Sequence, residues 1–132
     1  MSGERGRLGH DAVEAARRSL RSMLAEDLRV RDELARRGIL SDAYHTAMED
    51  VHLANAARLE SILVRHGWPD AARFGADGQD AAWTILMHSI PRRDIMRLGR
   101  ERLTQAVDSG CAPDHLLARL GDRIRTLEGR PQ

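Results

Sequence analysis

Residues 67–89 read GWPDAARFGADGQDAAWTILMHS, and this stretch decides the fold. Gly67-Trp68-Pro69 stops a helix and turns the chain. A short polar loop with Gly75 and Gly78 follows, and Asp77 or Asp80 is the expected cap of a new helix over about 79–90. That helix is apolar nearly all the way round, through Ala81, Ala82, Trp83, Ile85, Leu86 and Met87. A helix with no polar face belongs in the middle of a bundle, wrapped by other helices. It ends in His88, an ionisable ring delivered to the interior, and the surrounding helices are expected to aim polar groups at it.

Working outward, the helix closed by Gly67 starts at Ser41 or Asp42 and runs to about His66. One face carries Tyr44, Met48, Val51, His52, Asn55, Leu59 and Ile62, so His52 and Asn55 are polar side chains within an apolar stripe. A core histidine bonded to a backbone carbonyl is the plain explanation of such a residue. Two of them about one turn apart point to a site. His45 and Glu49 flank this face, and the His45, Glu49, His52 spacing presents three metal ligands on adjacent turns, without an HExxH signature. Upstream, Asp11 caps a long helix over 11–37, closed by Gly38. Its stripe is Val13, Ala16, Leu20, Met23, Leu24 and Leu34, and Asp27 and Arg31 fall on it four residues apart. An ordinary ion pair accounts for the two, but a charge aimed at the core needs further partners. Residues 1–10 are expected to form a disordered N-terminus, leaving 11–132 as a single helical domain.

Downstream, Ser89-Ile90-Pro91 breaks the chain before a fourth helix over about 92–109, with Ile95, Met96, Leu98, Leu103, Ala106 and Val107 as its apolar positions. Its arginines, Arg92, Arg93, Arg97, Arg100 and Arg102, read as a solvated face rather than a phosphate surface. Gly110 ends it. Pro113-Asp114 starts a fifth helix with Leu116, Leu117, Leu120, Ile124 and Leu127 on one face, Arg123 at the stripe's edge and Asp122 nearly opposite. No strand-like alternation occurs, so the fold class is all-α: a compact bundle of about five helices around the central apolar one.

At 132 residues the chain is one domain with room for a real core. The 21 basic and 20 acidic residues nearly cancel, which argues neither for nor against a nucleic-acid surface, but aromatic residues, at 3%, are too few for a base-stacking platform and no nucleic-acid partner is expected. All basic residues are arginine, which leaves no lysine nucleophile or Schiff base. The single Cys111 excludes an intramolecular disulfide and a cysteine-based zinc site. No apolar run suits a signal peptide or a membrane span, so the expectation is a cytoplasmic protein with no membrane partner. Spare apolar positions at Leu53 and Val64 permit a homodimer.

The polar groups on core-facing stripes, Asp27, Arg31, His52, Asn55, His88 and Arg123, come from four helices, the pattern of a bundle converging on one interior pocket. Imidazole gives and takes protons at neutral pH. His88 and His52 are therefore the expected acid/base pair, with Asp27 orienting one ring. Arg31 and Arg123 would hold an anionic group, Asn55 would fix orientation, and Tyr44 and Trp83 would complete the ligand contacts. No activated nucleophile is evident. The chemistry expected is hydration, elimination, isomerisation or cyclisation of a small polar molecule, with no cofactor. Two alternatives stand beside it: a non-catalytic module that binds a small molecule or a protein, and a metal-dependent enzyme with His45, Glu49, His52 and His88 as ligands to a divalent ion.

Several of these stretches together resemble a family of small bacterial proteins of unknown function, DUF6624. The matching elements are Asp27 and Arg31 in AEDLRVRDEL, YHTAMEDVHLANAARL at 44–59, HGWP at 66–69, FGADGQDAAW at 74–83, His88, and LGDRIRTLEGRPQ at 120–132. The resemblance spans nearly the whole chain and implies a compact helical domain without an established activity. Two departures stand out. Members of that family typically carry Gln where this chain has Met87, and they usually continue past the final Pro-Gln into a Tyr-Gly-Thr-Gln tail. If that tail helps close the pocket, ending at Gln132 implies an altered, binding-only or trimmed form.

Overall fold

The computed structural model describes residues 2–38 and 42–129, in five helices. They are α1 (Ser2–Arg36), α2 (Asp42–His66), α3 (Ala71–Met87), α4 (Arg93–Asp108) and α5 (Asp114–Gly129), with no strand among the described residues. The protein is an all-α bundle. Helix α3 is the one that packs against all four others, with its most extensive contact on α1. Ala81, Ala82, Ile85 and Leu86 of α3 are buried, facing Leu20 and Met23 of α1, Leu59 and Leu63 of α2, Ile95, Met96 and Leu103 of α4, and Leu120 and Ile124 of α5 in a single apolar cluster. The greasy segment sits where its lack of a polar face requires.

The bounds of α3 differ from the expected 79–90. The helix begins at Ala71, because Asp70 rather than Asp77 or Asp80 caps it: the Arg73 amide donates to Asp70 Oδ1 at 3.0 Å, and the Arg73 guanidinium holds Oδ2 at 2.9 Å. The expected loop is thus one helical turn followed by a kink at Gly75, whose φ of 74° and ψ of 160° suit only glycine. Asp77 instead clamps the kink to α1, pairing with Arg17 at 2.9 Å and Arg21 at 3.3 Å. Trp68 Nε1 donates to the buried Gln79 Oε1 at 3.0 Å, tying the turn before α3 to the segment after the kink. The helix stops at Met87, with His88 as its C-cap.

Helix α1 also starts earlier than Asp11, at Ser2. Glycines at 3, 6 and 9 each lower helix propensity by about 1 kcal/mol against alanine, which is what made this stretch look unstructured. No proline interrupts residues 2–10, and extending an existing helix needs no new nucleus. The other ends follow the sequence signals. Gly110 closes α4 in a Schellman arrangement, its amide on Val107 O at 3.0 Å and the Cys111 amide on Ala106 O at 2.7 Å. The candidate cap Ser41 and the terminal Pro131 lie outside the described residues.

Helix α4 packs on Leu86 of α3 at Gly99. A Cβ added there would sit 2.7 Å from Leu86 Cδ1 and nearer still to Cδ2. Leu86 is fully buried and has no room to swing aside. Gly99→Ala is therefore expected to destabilise the protein by about 1–3 kcal/mol despite alanine's better helix propensity. Urea unfolding checks this, and Leu86→Ala should cost less in the Gly99→Ala background than in the wild type; strictly additive effects would show that the two positions are not in conflict.

Candidate active site

The site is built from the ends and middles of three helices. Asp27 lies in α1, His52 in α2, and His88 caps α3. Asp27 is 1% exposed, and its Oδ2 lies 2.8 Å from His88 Nδ1 and 3.5 Å from His52 Nε2. Its other oxygen, Oδ1, accepts from Arg31 at 3.3 Å, one turn along α1. The two imidazole centroids are 5.3 Å apart, with their planes tilted by 39°. One buried carboxylate thus serves two rings and a guanidinium.

Electrostatics follow from that crowding. Burial alone would push the Asp27 carboxyl up, but the imidazoles of His52 and His88 outweigh it and hold the group well below the usual carboxylate range. Not every polar atom is matched. His52 Nε2 is within ion-pair range of Asp27 but not aligned as a hydrogen bond, and together with Arg31 Nε it is buried without a hydrogen-bond partner. A buried unpaired polar group typically costs about 1–3 kcal/mol, so neither atom is accounted for by the packing of the bundle.

The surrounding backbone is held by the remaining polar residues. Asn55 Nδ2 donates to Met23 O at 3.1 Å, one turn before Asp27, fixing α2 against α1. This bond ties the Asn55 amide nitrogen to the backbone of α1. Arg123 Nε donates to Met87 O at 2.7 Å, so α5 steadies the residue before His88. Ser89 is fully buried and its hydroxyl donates to Ile85 O at 2.8 Å, which occupies it. Trp83, expected among the ligand contacts, instead donates to Leu116 O at 3.2 Å and stacks beneath Arg119, docking α3 on α5. The Tyr44 side chain lies outside the described residues.

His52 opens onto a cleft of about 490 Å³, lined also by Arg31, His45, Met48, Glu49, Ile90, Pro91 and Arg93. No protein-family model, curated protein or solved structure matches the chain. The site must be read from its own chemistry. A second groove of about 400 Å³ runs between α1 and α2 over Ala12, Ala15, Ala16 and Ser19, and it has no comparable carboxylate–imidazole set. Sequence reasoning found Asp27, Arg31, His52 and His88, which come together, but assigned Arg93 to a solvated face. Pro91 marks the break in the sequence, but not that Ile90, Pro91 and Arg93 line the same cleft as His52.

Three donor atoms, one each from Asp27, His52 and His88, lie within 4.8 Å of one another, close enough to share a metal ion. This set contains Asp27 in place of His45 and Glu49, which line the cleft outside it.

The Asp27 carboxyl has its folded-state pKa below the unfolded value near 3.8, so its stabilising contribution is complete above that pH and is lost as pH falls through the folded value. Asp27→Asn is expected to cost about 1–3 kcal/mol near neutrality. The gap between wild type and variant should narrow as the solution is taken below pH 3.8, measured by urea midpoints across the range. A gap that stays constant into acid would mean the carboxylate charge contributes nothing.

Proposed function

We propose that the protein carries out acid/base chemistry on a small polar molecule seated in the cleft over His52. The observation that supports this reading is the buried Asp27 carboxylate shared between His88 at 2.8 Å and His52 at 3.5 Å, with His52 on the cleft wall. The carboxylate bonded to Nδ1 fixes the tautomer of His88, which stands outside the cleft lining with its ring 5.3 Å from that of His52, the imidazole that meets the bound molecule. The second imidazole supplies the complementary acid. Arg31, bonded to the same carboxylate, completes the electrostatic frame. Among the described residues no hydroxyl or thiol lines the cleft, since Ser89 is fully buried with its hydroxyl on Ile85 O and Cys111 is outside the lining. Addition or removal of water, or movement of a proton along a carbon skeleton, matches this equipment.

Such chemistry leaves an isotopic trace even at equilibrium. A panel of small polar metabolites incubated with the protein in deuterium oxide or oxygen-18 water should yield at least one molecule whose mass shifts. His88→Ala is expected to keep the helical fold by circular dichroism and lose that exchange by about 10²–10⁴-fold. No mass shift with wild type, or equal exchange in both proteins, would remove the reading.

A second reading is favoured by one specific feature, the buried His52 Nε2 that has no hydrogen-bond partner and lies with two other donors in a metal-sized group. In that case Asp27, His52 and His88 would hold a divalent ion, which would supply Lewis-acid chemistry beside the cleft. Elemental analysis of purified protein separates the two. One equivalent of metal that disappears in His52→Ala supports the second reading, and exchange activity in metal-free protein supports the first.

A further inference from the structure

We infer that the molecule bound over His52 carries an oxyanion, a carboxylate or a phosphate, gripped between Arg31 and Arg93. This deepens the acid/base reading of the same site by naming the class of substrate, and it rests on that reading for the role of the cleft. Both arginines line the cleft. Arg31 gives one terminal nitrogen to Asp27 Oδ1, while its Nε is buried with no acceptor. Arg93 is anchored through Nε to Ile90 O at 3.0 Å, which fixes the guanidinium and leaves its terminal nitrogens without a carboxylate among the described residues. Elsewhere among the described residues many arginines find one, with Arg17, Arg21, Arg29, Arg36, Arg73 and Arg97 all in ion pairs.

An oxyanion supplies what the two side chains lack, several acceptor lone pairs in a planar or tetrahedral array that matches a guanidinium fork. The Asp27 charge does not oppose it, because Arg31 and both imidazoles already face that carboxylate. Glu49 is the one acid among the lining residues, and it is exposed at the rim. Met48, Ile90 and Pro91 provide an apolar wall for a short carbon skeleton. The cleft volume of about 490 Å³ accommodates a small metabolite rather than a polymer. A bound anion so placed sets the adjoining carbon or oxygen of the same molecule against His52.

Inorganic phosphate and acetate are the probes, titrated separately into the full chain at low salt and followed by the ring signals of His52 and the Nε–H of Arg31 in nitrogen-edited NMR. At least one anion is expected to shift both signals saturably, with an affinity that falls as sodium chloride is added. Whichever acts identifies the source: phosphate alone points to phosphorylated molecules, acetate alone to organic acids. Arg93→Gln should weaken binding about tenfold or more, Arg93→Lys should restore only part of it, and Arg65→Gln, on the α1–α2 groove, should bind as wild type. No shift with either anion, or an undiminished affinity in Arg93→Gln that keeps its melting temperature, overturns the inference. Isotope exchange on neutral molecules without anion binding would sink this inference and leave the acid/base reading standing. Anion binding with no exchange on any molecule would do the reverse.

Discussion

The structure depends on one buried negative charge. Asp27 is almost wholly removed from water, and a carboxylate there is tolerable only if other elements bring it positive charge and hydrogen-bond donors. It draws Arg31 from its own helix, His52 from α2 and His88 from the end of α3. The three helices are thereby fixed in register at one level of the bundle. The apolar cluster alone could not do this, since hydrophobic contact is non-directional and tolerates sliding. The charge converts a stack of greasy helices into a defined arrangement of reactive groups.

The rest of the bundle protects that arrangement from a distance. Asn55 locks α2 to α1 through Met23 O, and Arg123 grips Met87 O. The kinked start of α3 is clamped to α1 by Asp77 and to the preceding turn by Trp68 and Gln79. These contacts lie away from the cleft and leave its lining free to differ in chemistry from the core. The small residue at Gly99 lets α4 pack tightly on Leu86, which brings Arg93 at the start of the same helix close to His52.

Much of this was legible from residue order. The all-round apolar character of residues 81–87 placed α3 at the centre, and the appearance of Asp27, His52 and His88 on buried stripes marked them as a set. Helical periodicity reports which face a side chain occupies, and in a bundle that fixes which residues can meet. It does not report what a polar side chain does on arrival. Asn55 and Trp83 lie on the expected faces yet spend their donors on backbone carbonyls. Periodicity was equally silent at the kink, where glycine signals a break but cannot say whether helix precedes it, and Asp70 supplied the answer through a cap two residues after Trp68. Arg93 was hidden for a different reason: its neighbours across the cleft come from α1 and α2, and no local pattern encodes them.

The grip of Arg123 on Met87 O links the last described helix to the residue immediately before His88. Among the described residues helix α5 packs on α3 and α4, chiefly on α4, and its contact with α3 is the slightest between any two helices. Detaching it would leave the core of α1, α2 and α3 assembled while releasing the peptide that carries the ring. Fraying at the periphery would thus be felt first as a loss of aim at the imidazole, well before the bundle itself comes apart.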